Sequence, residues 1–232
     1  MIKKSILLLI SVVLTLAFNI NIYATESDSI NGDLTIEEGA QPYNPTQADL
    51  NKIAQKDRSI YQQAKTNEEL LSMICYRQEN NYYCGPATVK QVVQYKNGNS
   101  NIQSYYAGLL NTVETGDNRG TDMTRIAPVI NSCIGSSYYV MAEIPGDSLT
   151  WFNRIRTGIS AHYPTVLDIN TNSVSEFPYK TSGHYICTSG FRVAENQVRI
   201  ADPHPSYFGH YWYSRNGLYK ANADHFRHAM IY

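Results

Sequence analysis

A proline is tolerated inside a helix only in its first turn, where no backbone hydrogen bond is lost. Pro86 stands at the head of a run in which Val89, Val92 and Val93 share a helical face, and Asn97-Gly98 supplies a stop signal. The spacing predicts a helix that begins close to Cys84 and ends near Asn97. Cys84 is thereby put at the positive end of a helix dipole, which favours a thiolate over a thiol. Gly85, beside it, lets another backbone approach closely. The first turn of such a helix also offers unpaired backbone N–H groups.

The rest of the chain sorts into helices first and strands later. Leu50, Ile53, Ala54, Ile60 and Ala64 give a broken helical stripe across residues 46–71, with Thr46 as a candidate N-cap. Further helices are expected over residues 104–110, over 121–132 with Thr121 or Asp122 as cap, and over 147–159 with Leu149, Phe152 and Ile155 inward. After Pro164 the pattern turns to strands. These are residues 165–167, a hairpin of 185–192 and 198–201 around 194–196, and then 211–213 and 229–232. Segregation of this kind implies an α+β domain, N-terminal helices packed on a C-terminal antiparallel sheet, rather than alternating βαβ units.

At 232 residues the chain suits one domain of this type plus short extras. A formal net charge of −1 provides no field that would draw it to nucleic acid or to an anionic membrane. Lys3 and Lys4 precede an apolar run over residues 6–18, broken only by Ser11 and Thr15, and Ala24 follows. This reads as a secretory signal segment, residues 1–24, cleaved near Ala24. Its apolar core falls short of the roughly 20 residues of a membrane span. An extracellular protein without an integral span is therefore expected. Residues 25–45 are polar, with Gly32, Gly39, Pro42 and Pro45, and read as a flexible leader. The helical stripe that follows has two readings: a first helix of the main domain, or part of a propeptide spanning residues 25–70 ahead of a domain at 71–232.

Three groups stand out for their chemistry. In the run from Gln78 to Ala87, Cys84 is the candidate nucleophile. Gln78 can donate its amide to an oxyanion beside the backbone N–H of Cys84. A thiol nucleophile needs a base, and the base an orienting partner. Ser182-Gly183-His184-Tyr185-Ile186 puts an imidazole at the start of a strand, and Ile200-Ala201-Asp202-Pro203 ends the next strand with a carboxylate. A three-residue loop at 194–196 would pair residue 188 with 202. His184 and Asp202 would then stand four residues out of register, about 13 Å along a flat strand, so strong twist or a bulge near Gly190 is required. His204 and His210 lie among Tyr207, Tyr211, Trp212 and Tyr213 and are expected in an edge strand and cleft wall. Nothing among the cysteines and histidines has metal-ligand spacing, and the chemistry calls for no cofactor. With Cys84 set aside, at most one disulfide can join Cys75, Cys133 and Cys187.

Gln78, then Cys84-Gly85-Pro86-Ala87, then Gly183-His184-Tyr185, then Asp202-Pro203, in this order, resembles the C39-like peptidases of the papain-like superfamily over roughly residues 74–232. The resemblance implies a papain-like fold and a catalytic set of Cys84, His184, Asp202 and Gln78. The implied activity is hydrolysis of a peptide or protein substrate through a thioester on Cys84. Some members trim double-glycine leaders while fused to an ATP-driven exporter. This chain has no Gly-Lys-Ser/Thr phosphate loop and no further span, so it resembles a free-standing secreted branch, and leader specificity is not carried over. A cell-wall amidase or transpeptidase with the same nucleophile, and a secreted peptide- or glycan-binding module, are the alternatives.

Overall fold

The computed structural model describes residues 41–63, 66–115 and 119–232. The expected signal segment, residues 25–40 of the leader and Ala64 of the helical stripe lie outside the described residues. The first helix, α1 (Gln47–Gln63), opens as a reciprocal cap: the Thr46 hydroxyl accepts from the backbone N–H of Asp49, and the Asp49 carboxylate accepts from that of Thr46. The expected helical stretch stops there. Glu68–Leu70 is instead a strand, β1, antiparallel to a later strand with Leu70 opposite Gly190. Tertiary pairing outweighs helix propensity in that acidic tripeptide.

The helix headed by Cys84, α2, runs Cys84–Asn97 and closes at Gly98, whose φ of 74° is the left-handed conformation that favours glycine. Next come α3 (Gln103–Leu110), a 3₁₀ turn at Met123–Arg125 capped by the Asp122 carboxylate, and α4 (Ile126–Ile134). The helix expected over residues 121–132 is thus real but begins as a 3₁₀ turn. A short strand, β2 (Met141–Glu143), precedes α5 (Ser148–Ser160), capped by Asp147. Strands β3 (Val166–Ile169), β4 (His184–Arg192), β5 (Gln197–Asp202) and β6 (Gly209–Ser214) then run in succession, followed by α6 (Arg215–Ala223) and β7 (Ala229–Ile231). The sequence pattern gave no sign of β2 or α6. The first is only three residues, and the second contains Gly217 and two asparagines, poor helix formers held by the Ser214 cap.

The strands form one antiparallel sheet in the order β2-β7-β3-β4-β5-β6, with β1 also on β4. Eight of the nine residues of β4 are buried, because α2 and α5 pack against it. This explains its near-continuous apolar reading where a half-exposed strand would alternate. β6 is the edge strand, as its aromatic sequence suggested.

α1 docks on α5 through one well-made contact. Arg154, only 8% exposed in its side chain, forks onto Asp57 with bonds of 2.9 and 2.7 Å, and Tyr232 donates to the same carboxylate at 2.9 Å. Removing the carboxylate leaves a buried guanidinium with one carbonyl acceptor, that of Glu143. Asp57→Ala should lower stability by about 2 kcal/mol, read as a drop in urea midpoint with unchanged slope.

Candidate active site

The helix end carrying Cys84 is fixed by two close contacts, one to the sheet and one to the segment before the 3₁₀ turn. Thr88, one turn further along α2, donates its hydroxyl to the carbonyl of Tyr185 at 3.0 Å. Cys84 lies one turn before Thr88 and His184 one residue before Tyr185, so this bond brings the thiol-bearing turn and the histidine to the same end of the interface. At Gly85, a Cβ would sit 2.5 Å from Thr121 Oγ1 and 2.8 Å from Thr121 Cβ. The sequence suggested that this glycine opens space for an incoming backbone; the structure shows that Thr121 already fills it. No side chain caps α2, whose N-cap position is Tyr83. The positive helix end is therefore not neutralised by a capping carboxylate.

The sheet resolves the register difficulty. β5 pairs with β4 as Cys187↔Ala201 and Thr188↔Ile200, then shifts by one residue between Thr188 and Gly190. The connecting loop also has one more residue than expected, since β4 ends at Arg192 and β5 begins at Gln197. Together the bulge and the longer loop halve the expected offset. Asp202 comes opposite Ile186, on the same face as His184 and diagonal to it. His184 Nε2 lies 2.8 Å from Asp202 Oδ1, with both side chains fully buried. Among the described residues His184 Nδ1 has no hydrogen-bond partner. With Nε2–H given to the carboxylate, Nδ1 is the nitrogen open to exchange a proton.

Gln78 is buried beside them. Its backbone N–H donates to the carbonyl of Pro203, next to Asp202, at 2.8 Å, and its Nε2 donates to the carbonyl of Asn80 at 2.8 Å. That carbonyl fixes which way the amide faces and leaves a second N–H on Nε2. The structure thus gathers Gln78, His184 and Asp202 at the end of the sheet that meets the first turn of α2. Two further residues complete the cluster: Tyr179, which the sequence did not mark, and His204, which was expected in an edge strand but lies ahead of β6. Tyr179 donates to Asp202 Oδ2 at 2.6 Å, and the backbone N–H of His204 donates to Oδ1 at 2.9 Å. Tyr179 is one of 19 tyrosines and sits on an irregular segment, so no spacing marked it. The His204 ring stacks on Tyr179 with centroids 4.1 Å apart.

The other cysteines are held as thiols. Burial, then Asp202, pushes Cys75 up to about 12, although its thiol bonds to the carbonyls of Asp202 and Gly209. Burial raises Cys187 far above the ordinary value and raises Cys133 as well. None of the four cysteines forms a disulfide. Among the described residues no group of three His, Cys, Asp or Glu side chains could hold a metal, and no helix is long and apolar enough to cross a membrane.

The Peptidase_C39 like family matches residues 70–227, most of the chain. The chain belongs to that family. It is a cysteine-type peptidase that acts on protein substrates, and its fold sets a helix N-terminus beside an antiparallel sheet. Among solved structures, this C39-like peptidase is similar to the peptidase domain of Streptococcus ComA, described as a bi-functional ABC transporter involved in a quorum-sensing pathway. The two are 21% identical with a TM-score of 0.47, over 68% of this chain and 95% of that one. It is also similar to xylellain, a cysteine protease from Xylella fastidiosa, at 10% identity and a TM-score of 0.49, over 88% and 94% of the two chains. No curated protein matches it.

The same cluster gives the C39-like peptidase a pH signature. Burial, then the neighbouring His184, pulls His204 down to about 4 in spite of Asp202. His204 is therefore neutral in the folded protein above about pH 4, whereas the unfolded chain takes up its proton near 6.5. Between these values the unfolded state binds more protons, so stability falls as pH falls. His204→Asn keeps an acceptor for the backbone N–H groups of Ser206 and Tyr207, which now bond to Nδ1. Urea unfolding at pH 7.5 and 4.5 should show the acid-induced loss reduced by about 2 kcal/mol in the variant.

Proposed function

We propose that Cys84 is the nucleophile of this peptidase, His184 its general base and acid, Asp202 the orienting carboxylate and Gln78 an oxyanion donor. The observation that carries the reading is the buried 2.8 Å contact between His184 Nε2 and Asp202, which leaves Nδ1 without a hydrogen-bond partner among the described residues. In this reading Nδ1 takes the thiol proton and Cys84 Sγ attacks the carbonyl carbon of the scissile peptide. The tetrahedral oxyanion is held by the second N–H of Gln78 Nε2 and the backbone N–H of Cys84. Collapse breaks the C–N bond, His184 gives its proton to the leaving amine, and a thioester remains on Cys84. A water then attacks the thioester, His184 takes its proton, and the thiolate leaves as the new carboxylic acid is released. Asp202 accepts the Nε2–H throughout and steadies the imidazolium.

Burial holds Cys75, Cys133 and Cys187 in the thiol form. Cys84 is buried as well, so the contrast comes from its place at a helix N-terminus beside the proposed base: iodoacetamide should label Cys84 far faster than the other three, and well below neutral pH. His184→Ala removes the imidazolium, so the midpoint of the labelling profile should rise toward that of an ordinary thiol. Peptide mapping of the labelled cysteines reads both effects. Equal labelling of all four, or a midpoint unmoved by His184→Ala, would refute the pair and favour a binding module.

We also propose that the enzyme works outside the cell. The support is the Lys3-Lys4 start, the apolar run over residues 6–18 and Ala24. The intact mass of protein from culture supernatant should correspond to a chain starting near Thr25; a full-length species kept in the membrane fraction would contradict this.

A further inference from the structure

The segment that carries Gln78 contains no regular element: residues 71–83 are neither helix nor strand. Such a stretch has many backbone conformations to lose and no ladder to fix it. Its polar groups are nevertheless bonded one after another. The N–H of Tyr76 donates to Gln91 Oε1 at 2.9 Å, and that of Gln78 to the carbonyl of Pro203. Gln103, the first residue of α3, does more. Its Nε2 donates to the carbonyl of Arg77 at 2.7 Å, and its Oε1 accepts from the N–H of Glu79 at 3.0 Å. These are the two backbone groups that flank Gln78. One side-chain amide thus bonds on both sides of a single residue, as a peptide unit of a neighbouring strand would. Gln103 is 2% exposed, so water does not compete for either bond.

We propose that Gln103 is a positioning residue for the oxyanion donor Gln78, an inference that rests on the role given to Gln78 above. With its flanking groups tied to α3 and its own N–H tied to Pro203, the backbone of Gln78 has no play. Its side chain then reaches Asn80 with one N–H and keeps the other for the substrate oxygen. Oxyanion stabilisation depends on donors fixed before charge develops, within about 0.5 Å of their working positions. Gln103 supplies that fixing from a helix, without touching substrate.

The test uses two reagents that differ in their need for an oxyanion donor. Acylation of Cys84 by a p-nitrophenyl ester passes through a tetrahedral oxyanion; alkylation by iodoacetamide does not. Both are measured on the whole mature protein. Gln78→Ala should slow acylation by about 10²–10³ and leave alkylation unchanged. Gln103→Met, similar in shape but without donor or acceptor, should slow acylation roughly tenfold, a part of that loss, again with unchanged alkylation. In the Gln78→Ala background, Gln103→Met should slow acylation no further, because the group it positions is gone. Gln103→Glu keeps the acceptor for Glu79 and loses only the donor to Arg77. It should act in the same direction, and it carries the test if the methionine variant does not fold. A Gln103 variant that acylates at the wild-type rate, slows alkylation equally, or slows acylation as much without Gln78 as with it would overturn the proposal. If wild-type Cys84 shows no selective alkylation, the Cys84–His184 reading itself has failed, and the role of Gln103 falls with it.

Discussion

A carboxylate with no access to water survives in a protein only when donors surround it. Asp202 is such a group, and much of the molecule is arranged around its satisfaction. His184, the backbone of His204 and Tyr179 supply the donors. Each is placed by a different device. The bulge between Thr188 and Gly190 sets the register that brings His184 within reach. The turn after Pro203 folds the chain back so that His204 presents its N–H. The irregular stretch before β4 delivers Tyr179. Even the backbone around Asp202 is engaged, since the carbonyls of Asp202 and Pro203 accept from Cys75 and Gln78. The segment that bears Gln78 is thus attached to the strand that bears Asp202.

The bulge has its own requirement. Gly190 lies under β1, where a Cβ would come within 2.7 Å of Leu70 Cδ2 and 2.8 Å of the carbonyl of Glu69. β1 can pair with β4 only because that position lacks a side chain. A similar dependence holds at Gly85 and Thr121. Two glycines, one on the helix and one on the strand, thus admit close neighbours: Thr121 against α2 and β1 against β4.

What the residues disclosed beforehand was chiefly what is local. The start of α2 could be read from Pro86 and its end from Gly98, because both signals act within one turn of chain. The β4–β5 hairpin was visible in its apolar pattern, and the need for a bulge could be argued from spacing alone. β1 was not visible, because three residues reading Glu-Glu-Leu become a strand only where β4 offers a partner. Tyr179 and Gln103 were invisible for a related reason. A tyrosine on an irregular segment and a glutamine at a helix start have no periodicity, and their value lies in which distant groups they meet. The expectation of space above Gly85 failed in the same way, since Thr121 is brought there by the tertiary fold.

The sheet order carries a consequence for the timing of activity. β7 lies inside the sheet, between β2 and β3, with Met141 opposite Ile231. Residue 229 and those after it must therefore be available before β2 can join the rest. The helix that bears the thiol is made long before this, and 97 residues separate Thr88 from the Tyr185 carbonyl that anchors it. Pairings this distant in sequence form late. An emerging chain consequently holds a cysteine with neither the proposed base nor the proposed oxyanion cradle, and a fragment ending before β7 cannot complete the sheet. Order along the chain keeps the proposed chemistry silent at least until synthesis has passed β5.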